Sequence, residues 1–223
     1  MMIELIERLR AARLNEEPYG WALVQGLFSE RDREELSAHF PTQGFTRTRR
    51  DQGTDKRYEM AARPLHRSGG AGSPREDLAP VWRRLLDELC SPAYRQALSA
   101  LTGVGLEGHL MEIGCFRYGP GCYISAHPDK PQKSVGHVLY FNRTWKPEWG
   151  GAFRVLGSDD ESAVAAEIWP YAGDSVVLVR SDDSWHCVTP VTGPAERMAV
   201  HVDFWRTDPG EAPGRQVYGP RST

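Results

Sequence analysis

The sequence predicts one domain that is mainly β, with a helical amino-terminal part and a jelly-roll core supported by helices. Three observations lead to this class: a length of 223 residues with 40% hydrophobic and 26% charged residues, helical periodicity before Gly105, and short β-type runs after it. A chain of this length and composition fits a single globular domain. We divide it into mostly helical support and lid at 1–104, a jelly-roll core at 105–206 and an irregular tail at 207–223.

Amphipathic patterns predict four helices in the amino-terminal part. Ile3, Ile6 and Leu9 share one face of the first helix, and Ser29 opens the second in a capping-box pattern. The third and fourth helices are expected at 76–90 and 93–101, and a strand at 20–24 separates the first two. The polar, basic segment Thr46–Arg57 and the Gly/Ser-rich segment His66–Pro74 are predicted to be loops.

Eight β-type runs follow Gly105, a number and spacing typical of a jelly roll. The clearest run alternates strictly: Met198, Val200, Val202 and Phe204 form an apolar face, and the intervening residues carry most of the polar groups. The eight runs are expected at 108–118, 123–127, 135–142, 152–156, 165–169, 175–180, 187–191 and 198–205.

The charge balance and the cysteine usage exclude several classes of protein. A formal net charge of -3 and a pI near 6.2 provide no overall positive field for nucleic acid. No apolar run reaches the roughly 18 residues of a membrane span, and the first residues do not form a signal peptide. Four cysteines without C-x-x-C spacing indicate reduced thiols. We therefore expect a cytoplasmic protein without a nucleic-acid or membrane partner.

His127, Asp129 and His186 are candidate metal ligands. His127 and Asp129 end a β-type run, and residues two apart on a strand point the same way, so their side chains can meet at one ion. His186 precedes a later run that a barrel can bring opposite. Two histidines and one carboxylate suit a non-haem Fe(II) enzyme with open coordination positions, and zinc accepts the same ligands. His-x-Asp also occurs by chance in surface loops.

Arg197 is a candidate anion-binding residue. It begins the last strand and shares a face with Ala199 and His201, so its guanidinium can point into the barrel. A buried guanidinium needs an anion, and a bidentate carboxylate matches its geometry best. The alternative is a salt bridge with one of the protein's own acids.

From Met111 to Trp205 the chain resembles the 2-oxoglutarate- and Fe(II)-dependent dioxygenases, in their prolyl-4-hydroxylase-like branch. The resemblance implies a distorted double-stranded β-helix that uses Fe(II), 2-oxoglutarate and dioxygen, with ascorbate as a candidate reductant. It makes His127, Asp129 and His186 the expected catalytic iron ligands and Arg197 the expected partner of the distal 2-oxoglutarate carboxylate. The matching pieces are Phe116-Arg117-Tyr118-Gly119-Pro120-Gly121, His127-x-Asp129, His137-Val138-Leu139-Tyr140-Phe141-Asn142-x-x-Trp145, Gly150-Gly151, His186-x-Val188-x-Pro190-Val191 and Arg197.

The same resemblance suggests further co-substrate contacts. Tyr140 is an expected second partner of that carboxylate and Tyr118 an expected pocket wall. His137 is an alternative to Tyr140: the two are an odd number of positions apart, so without a bulge only one can face the site. The family often has a small hydroxyl residue where this chain has Ala199, and His201 on the same face is a candidate to compensate or to touch substrate.

The predicted function is hydroxylation of an unactivated C–H bond in a small amino-acid-like or natural-product substrate, with release of succinate and CO2. A lid formed by the basic segment Thr46–Arg57 would favour a carboxylate-bearing small molecule. A peptidyl-prolyl hydroxylase of the same family is the close alternative. A non-oxidative cupin-type metal enzyme or a jelly-roll binding module is the alternative from another class.

Overall fold

Four helices pack on one face of a large antiparallel sheet. The computed structural model describes residues 3–51, 56–69 and 75–206, and the predicted tail at 207–223 lies outside the described residues. The helices are α1 (Ile3–Ala11), α2 (Glu30–Ala38), α3 (Pro80–Leu89) and α4 (Pro92–Thr102). Among the described residues, no helix combines the length and the apolar character needed to cross a bilayer.

The helix ends follow from local sequence. Ser29 precedes α2, and its hydroxyl accepts a hydrogen bond from the Asp32 amide, as the capping-box pattern predicts. Ser91 caps α4 by accepting from the Tyr94 amide, and Gly103 ends α4 with a φ of 70°. That left-handed conformation is one that glycine adopts without steric penalty.

Eleven strands within the described residues form the sheet, in the spatial order β1-β9-β6-β11-β4-β3-β5-β10-β7-β8, with β2 paired to β3. The eight runs predicted after Gly105 all appear, as β4 to β11, and the prediction of a mainly β protein is confirmed. The strands are β1 (Trp21–Val24), β2 (Thr46–Arg50), β3 (Tyr58–Arg67), β4 (Leu110–Tyr118), β5 (Tyr123–His127), β6 (Lys133–Tyr140), β7 (Phe153–Leu156), β8 (Val164–Ile168), β9 (Ser175–Val179), β10 (His186–Val188) and β11 (Arg197–Trp205).

The two predicted loops of the amino-terminal part are partly wrong. Thr46–Arg50 is the strand β2, and the ten-residue β3, which the sequence analysis missed, pairs with both β4 and β5. The strand β2 escaped detection because it is a polar edge strand without alternating apolar residues. In β3, Pro64 lies at a register shift opposite β4, where a proline is tolerated. Residues 1–104 therefore contribute part of the sheet as well as the helical support.

The alternation along β11 separates the two interiors of the protein. Val200, Val202 and Phe204 face the helices and belong to the core that includes Leu9, Leu36, Trp82 and Leu98. Arg197, Ala199 and His201 face the opposite side, toward the second cluster, which includes Phe116, Tyr118 and Tyr140. Every strand of the sheet's centre is thus divided between a structural face and a face that is available for a site.

His137 lies on the structural face, so its prediction as a co-substrate contact is wrong. It pairs with Val202 across β6 and β11, and its Nδ1 lies 2.7 Å from the Tyr94 hydroxyl on α4. Directly opposed residues of neighbouring strands share a face, and Val202 faces the helices. Burial lowers the pKa of His137 to about 3, so this imidazole is neutral in the folded protein at physiological pH.

The buried His137 predicts a loss of stability in acid. Its folded-state pKa of about 3 lies below the value of about 6.5 in an unfolded chain. The unfolded state therefore binds a proton that the folded state does not, and stability present above about pH 6.5 falls by up to about 1.4 kcal/mol per pH unit below it. Urea unfolding at about pH 7 and about pH 5 should show a larger loss for the wild type than for His137→Gln.

Glutamine is the appropriate comparison because its amide oxygen can still accept a hydrogen bond from Tyr94. The other buried histidines titrate equally in both proteins, so the difference isolates His137. Equal losses of unfolding free energy in the two proteins would contradict the assignment of a neutral, buried imidazole.

Candidate metal centre

The pairing of β5 with β10 places two histidines side by side. His127, the last residue of β5, lies opposite His186, the first residue of β10, and their ring centroids are 4.4 Å apart. A register shift follows, so that Val188 pairs with Ile124. This bulge adds one residue to β5 and lets both His127 and Ile124 face the same cavity.

Asp129 completes a cluster that could hold a metal ion. Its carboxylate and the two imidazoles offer ligand atoms that all lie within 4.8 Å of one another, and Asp129 Oδ2 is 4.0 Å from His186 Nε2. Both histidines are buried. The predicted convergence of the three side chains is confirmed as geometry, because residues from β5, from the turn after it and from β10 reach one point.

Backbone carbonyls orient the two imidazole rings. His127 Nδ1 lies 2.9 Å from the Ser125 carbonyl oxygen, and His186 Nδ1 lies 2.9 Å from the Ser184 carbonyl oxygen. A carbonyl only accepts, so each Nδ1 donates its proton and each Nε2 keeps a free lone pair. This arrangement is the usual support of a metal-binding histidine.

The protonation states also suit a metal. Burial, with the nearby Lys56, holds the pKa of His127 well below its usual value, and burial likewise lowers the pKa of His186. Burial alone would raise the pKa of Asp129, but Lys133 first and then the two histidines outweigh it and hold that pKa far below its usual range. Two neutral imidazoles and one carboxylate are the forms that bind a divalent cation.

Arg197 is fully buried on the same face of the sheet, at 0% exposure. Its guanidinium lies between the rings of Tyr118 and Tyr140, at 4.9 and 5.0 Å from their centroids. None of its three guanidinium nitrogens has a hydrogen-bond partner among the described residues. A salt bridge with one of the protein's own acids is therefore not found in the described part of the chain. An arginine buried without an anion indicates that a ligand supplies one.

Tyr140, and not His137, is the residue of β6 that faces Arg197. Tyr140 pairs with Ala199, and Tyr118 pairs with Arg197, so both tyrosines share the face of Arg197. The Tyr140 hydroxyl is buried without a hydrogen-bond partner. Burial, opposed by the charge of Arg197, raises the pKa of Tyr140 to about 12, so its hydroxyl remains a donor.

His201 lines the cavity as expected from its position on β11. Its ring stacks on Phe116 with centroids 4.0 Å apart, and its buried Nε2 has no hydrogen-bond partner among the described residues. Burial, followed by the charges of Arg197 and Lys133, holds its pKa well below the usual value. His201 is therefore a neutral group that can accept or donate one hydrogen bond inside the cavity.

Lys133 and Asp203 are cavity residues that the sequence analysis missed. Strict alternation from Tyr140 would place Lys133 with His137 on the helix-facing side. The register of β6 shifts instead, since Phe204 pairs with Val135 and Trp205 with Lys133. Ser134 is the extra residue, and the lysine turns into the cavity. Lys133 is the one lysine in a strand that has no acidic residue and no arginine, and this is the signal that could have been followed.

The described arginines of the basic segment do not line the cavity. The exposed Arg47 and Arg49 both pair with Glu59 of the neighbouring strand, and Arg49 also pairs with Asp51. Of the described basic residues in this segment, Lys56 alone lines the cavity, which has a volume of about 100 Å³. Residues 52–55 of the segment lie outside the described residues, so the lid stays a prediction.

The chain is similar to several known proteins. A family model described as 2OG-Fe(II) oxygenase superfamily matches residues 113–205. A prolyl-4-hydroxylase from Pseudomonas putida has a TM-score of 0.61 at 20% identity, over 93% of this chain and 100% of that chain. No curated protein sequence matches.

Two more solved structures share the fold. A Trichoplax adhaerens prolyl hydroxylase in complex with a hypoxia inducible factor peptide has a TM-score of 0.61 at 14% identity, over 92% of this chain and 88% of that chain. HygX from Streptomyces hygroscopicus, with nickel and 2-oxoglutarate bound, has a TM-score of 0.51 at 13% identity, over 84% of this chain and 83% of that chain. The predicted double-stranded β-helix is confirmed.

Replacing any one of the three clustered side chains should abolish specific metal binding. We expect His127→Ala, Asp129→Ala and His186→Ala each to weaken Ni(II) binding by more than about 100-fold, since even supporting residues of a metal site contribute 10- to 100-fold. Isothermal titration of the metal-free protein measures this directly. His137→Gln, on the other face of the sheet, is the matched control. Unchanged Ni(II) affinity in all three alanine variants would exclude the cluster as the metal site.

Proposed function

We propose that this protein, whose residues 113–205 match the family model of the 2OG-Fe(II) oxygenase superfamily, is a dioxygenase that hydroxylates an unactivated C–H bond of a small substrate that carries a carboxylate. Enzymes of this superfamily use Fe(II) and 2-oxoglutarate. The observation that carries the assignment as a dioxygenase is a buried guanidinium, that of Arg197. It lines the same cavity as the cluster of His127, Asp129 and His186. The products would be the hydroxylated substrate, succinate and CO2.

The three clustered residues would hold the iron. Two neutral imidazoles and a carboxylate leave coordination positions for a chelating co-substrate and for dioxygen. When bound there, Fe(II) would use dioxygen as the oxidant, with one oxygen atom going to the C–H bond and the other to succinate as 2-oxoglutarate loses CO2. The protein's own contribution is to fix the ligand directions through the Ser125 and Ser184 carbonyls and to exclude bulk water.

Arg197 would bind the distal carboxylate of 2-oxoglutarate. Its rigid fork can donate two parallel hydrogen bonds to a carboxylate, and stacking between Tyr118 and Tyr140 limits how far it can turn. The buried Tyr140 hydroxyl is a further donor on the same wall. A dicarboxylate can thus neutralise the guanidinium while its other end reaches the metal.

This carboxylate clamp argues against the class of cupin-type enzymes and binding modules. Such a protein needs a metal site or a sugar site, but it has no use for a buried arginine without an internal partner. His137 faces the helices and cannot donate to a carboxylate in the cavity. Arg197 and Tyr140 are therefore the two residues that distinguish a dioxygenase from a cupin-type enzyme or a binding module. Both are fully buried.

The remaining cavity lining supports a small anionic substrate. Lys56 and Lys130 lie on the cavity wall that also contains Asp129, and an ammonium group close to a cavity favours a carboxylate in it. The rest of the wall is largely apolar and suits the aliphatic part that is hydroxylated; it includes Met60, Phe116, Ile124, Val138, Phe153 and Val188. Together these features describe an amino-acid-like molecule better than a long polypeptide.

Peptidyl-prolyl hydroxylation is the second candidate. Two of the similar structures are described as prolyl hydroxylases, one of them with a bound peptide. Their similarity to this chain extends over more than nine-tenths of its length. In this alternative Lys56 and Lys130 would contact a peptide backbone or an acidic side chain next to the target proline.

Substitution of Arg197 should separate co-substrate binding from metal binding. Arg197→Lys keeps the charge but loses the two-pronged geometry, so 2-oxoglutarate affinity should fall roughly 10- to 100-fold, the range of one hydrogen bond to a charged group. Ni(II) affinity should remain within about threefold of the wild type, because the residue does not contact the clustered ligands. Isothermal titration of each ligand measures both quantities. Undiminished 2-oxoglutarate affinity would make Arg197 a structural residue.

A panel of compounds tests the substrate class. Succinate formation from 2-oxoglutarate should be stimulated by some free amino acids, and up to roughly fivefold less by their carboxamides, because a partly exposed ion pair contributes up to about 1 kcal/mol. Lys56→Met should raise the KM of a stimulating acid by a similar factor. Arg47→Met, outside the cavity, is the matched control. Stimulation by proline-containing peptide amides, with none by free acids, would favour the peptidyl-prolyl candidate instead.

A further inference from the structure

A buried lysine joins the candidate metal ligand to a second carboxylate. Lys133 Nζ lies 2.9 Å from Asp129 Oδ2 and 2.7 Å from Asp203 Oδ1. All three side chains line the same cavity, and Lys133 and Asp203 are 7% and 5% exposed. The two carboxylate oxygens therefore cannot be farther apart than these two short distances combined.

The fold makes specific room for this lysine. The bulge at Ser134 turns Lys133 toward the cavity, and its side chain then lies across Gly136 of the same strand. A Cβ at Gly136 would come within 2.9 Å of Lys133 Nζ and 3.0 Å of its Cε, closer than ordinary van der Waals contact. Gly136 also pairs with Asp203 on β11. The absence of a side chain at Gly136 thus allows the ammonium to reach both carboxylates.

Without the lysine, the cavity would present a different set of metal ligands. Two imidazoles and two carboxylates facing one cavity could provide four protein ligands for a divalent cation. The activity of this superfamily needs three open positions, two for the chelating 2-oxoglutarate and one for dioxygen. A fourth protein ligand would occupy one of them. The charge on Lys133 opposes this, because it binds Asp203 and also repels an additional cation.

We propose that Lys133 is a positioning residue that restricts the metal centre to three protein ligands by holding Asp203 in an ion pair away from the metal. The inference rests on the proposed metal site and deepens it. Lys133 orients Asp129 for coordination and retains Asp203, so the open positions stay available to the co-substrate.

The test uses binding of Ni(II) to the metal-free protein and of 2-oxoglutarate to the Ni(II)-loaded protein, measured by calorimetry without turnover. Lys133→Met should raise Ni(II) affinity at least about tenfold, the effect of one elementary charge about 6 Å from a divalent ion even in water. It should also weaken 2-oxoglutarate binding, because Asp203 then takes a coordination position. Lys133→Met with Asp203→Asn should reverse both changes.

Lys133→Gln separates geometry from charge. Glutamine has no charge but keeps N–H donors for the carboxylates, so its Ni(II)-loaded form should bind 2-oxoglutarate at least roughly fivefold more tightly than that of Lys133→Met. Equal 2-oxoglutarate affinities in the two variants, or weaker Ni(II) binding in Lys133→Met, would overturn the proposal. Lys133→Ala, which admits water to both carboxylates, replaces Lys133→Met if the latter does not fold, with the same expected changes.

A failure of this inference is distinguishable from a failure of the proposed function. Wild-type protein that binds no Ni(II) at the cluster would overturn the metal site itself. Wild-type protein that binds Ni(II) and 2-oxoglutarate, with both affinities unchanged in Lys133→Met, would overturn the role of Lys133 alone.

Discussion

The register between β5 and β10 is the constraint on which the site depends. It sets His127 directly opposite His186, and Asp129 follows the end of β5 by only two residues. The backbone therefore brings the three candidate ligand groups together. A shift of one residue would send one imidazole to the opposite face of the sheet. The bulge in β5 and the carbonyls of Ser125 and Ser184 then fix the ring directions.

The second constraint is electrostatic, because several charged side chains of the cavity are buried, among them Lys133, Arg197 and Asp203. Some of these side chains form ion pairs with each other, and one has no anionic partner among the described residues. Lys133 forms ion pairs with Asp129 and Asp203, whereas the guanidinium of Arg197 contacts the ring faces of Tyr118 and Tyr140. A buried, unpaired guanidinium is expensive, and a protein that retains one gains from the anion it binds. The charge pattern therefore separates a part of the wall whose charges pair with each other from a part that can bind an anion.

Much of this site could be predicted from the sequence, because strands obey a simple alternation. The order of His127, Asp129, His186 and Arg197, and the strict pattern of β11, placed the ligands and the arginine on one face. The pattern failed where the backbone departs from strict alternation or where a strand lacks an apolar face. The bulge at Ser134 hid Lys133, and the polar β2 hid a strand. The sequence of β6 alone could not decide which of His137 and Tyr140 faces the cavity. The pairing of Tyr140 with Ala199 and of His137 with Val202 on β11 decides it.

The most direct test of the account is an anaerobic titration of the metal-free protein with Fe(II) and 2-oxoglutarate, followed by visible absorption. We expect a weak charge-transfer band that needs both components and saturates at one equivalent of each, because a 2-oxo acid chelated to iron absorbs where neither does alone. We expect no band with glutarate, which has both carboxylates but no 2-oxo group. A protein that binds Fe(II) at the cluster but develops no band with saturating 2-oxoglutarate would contradict the central claim.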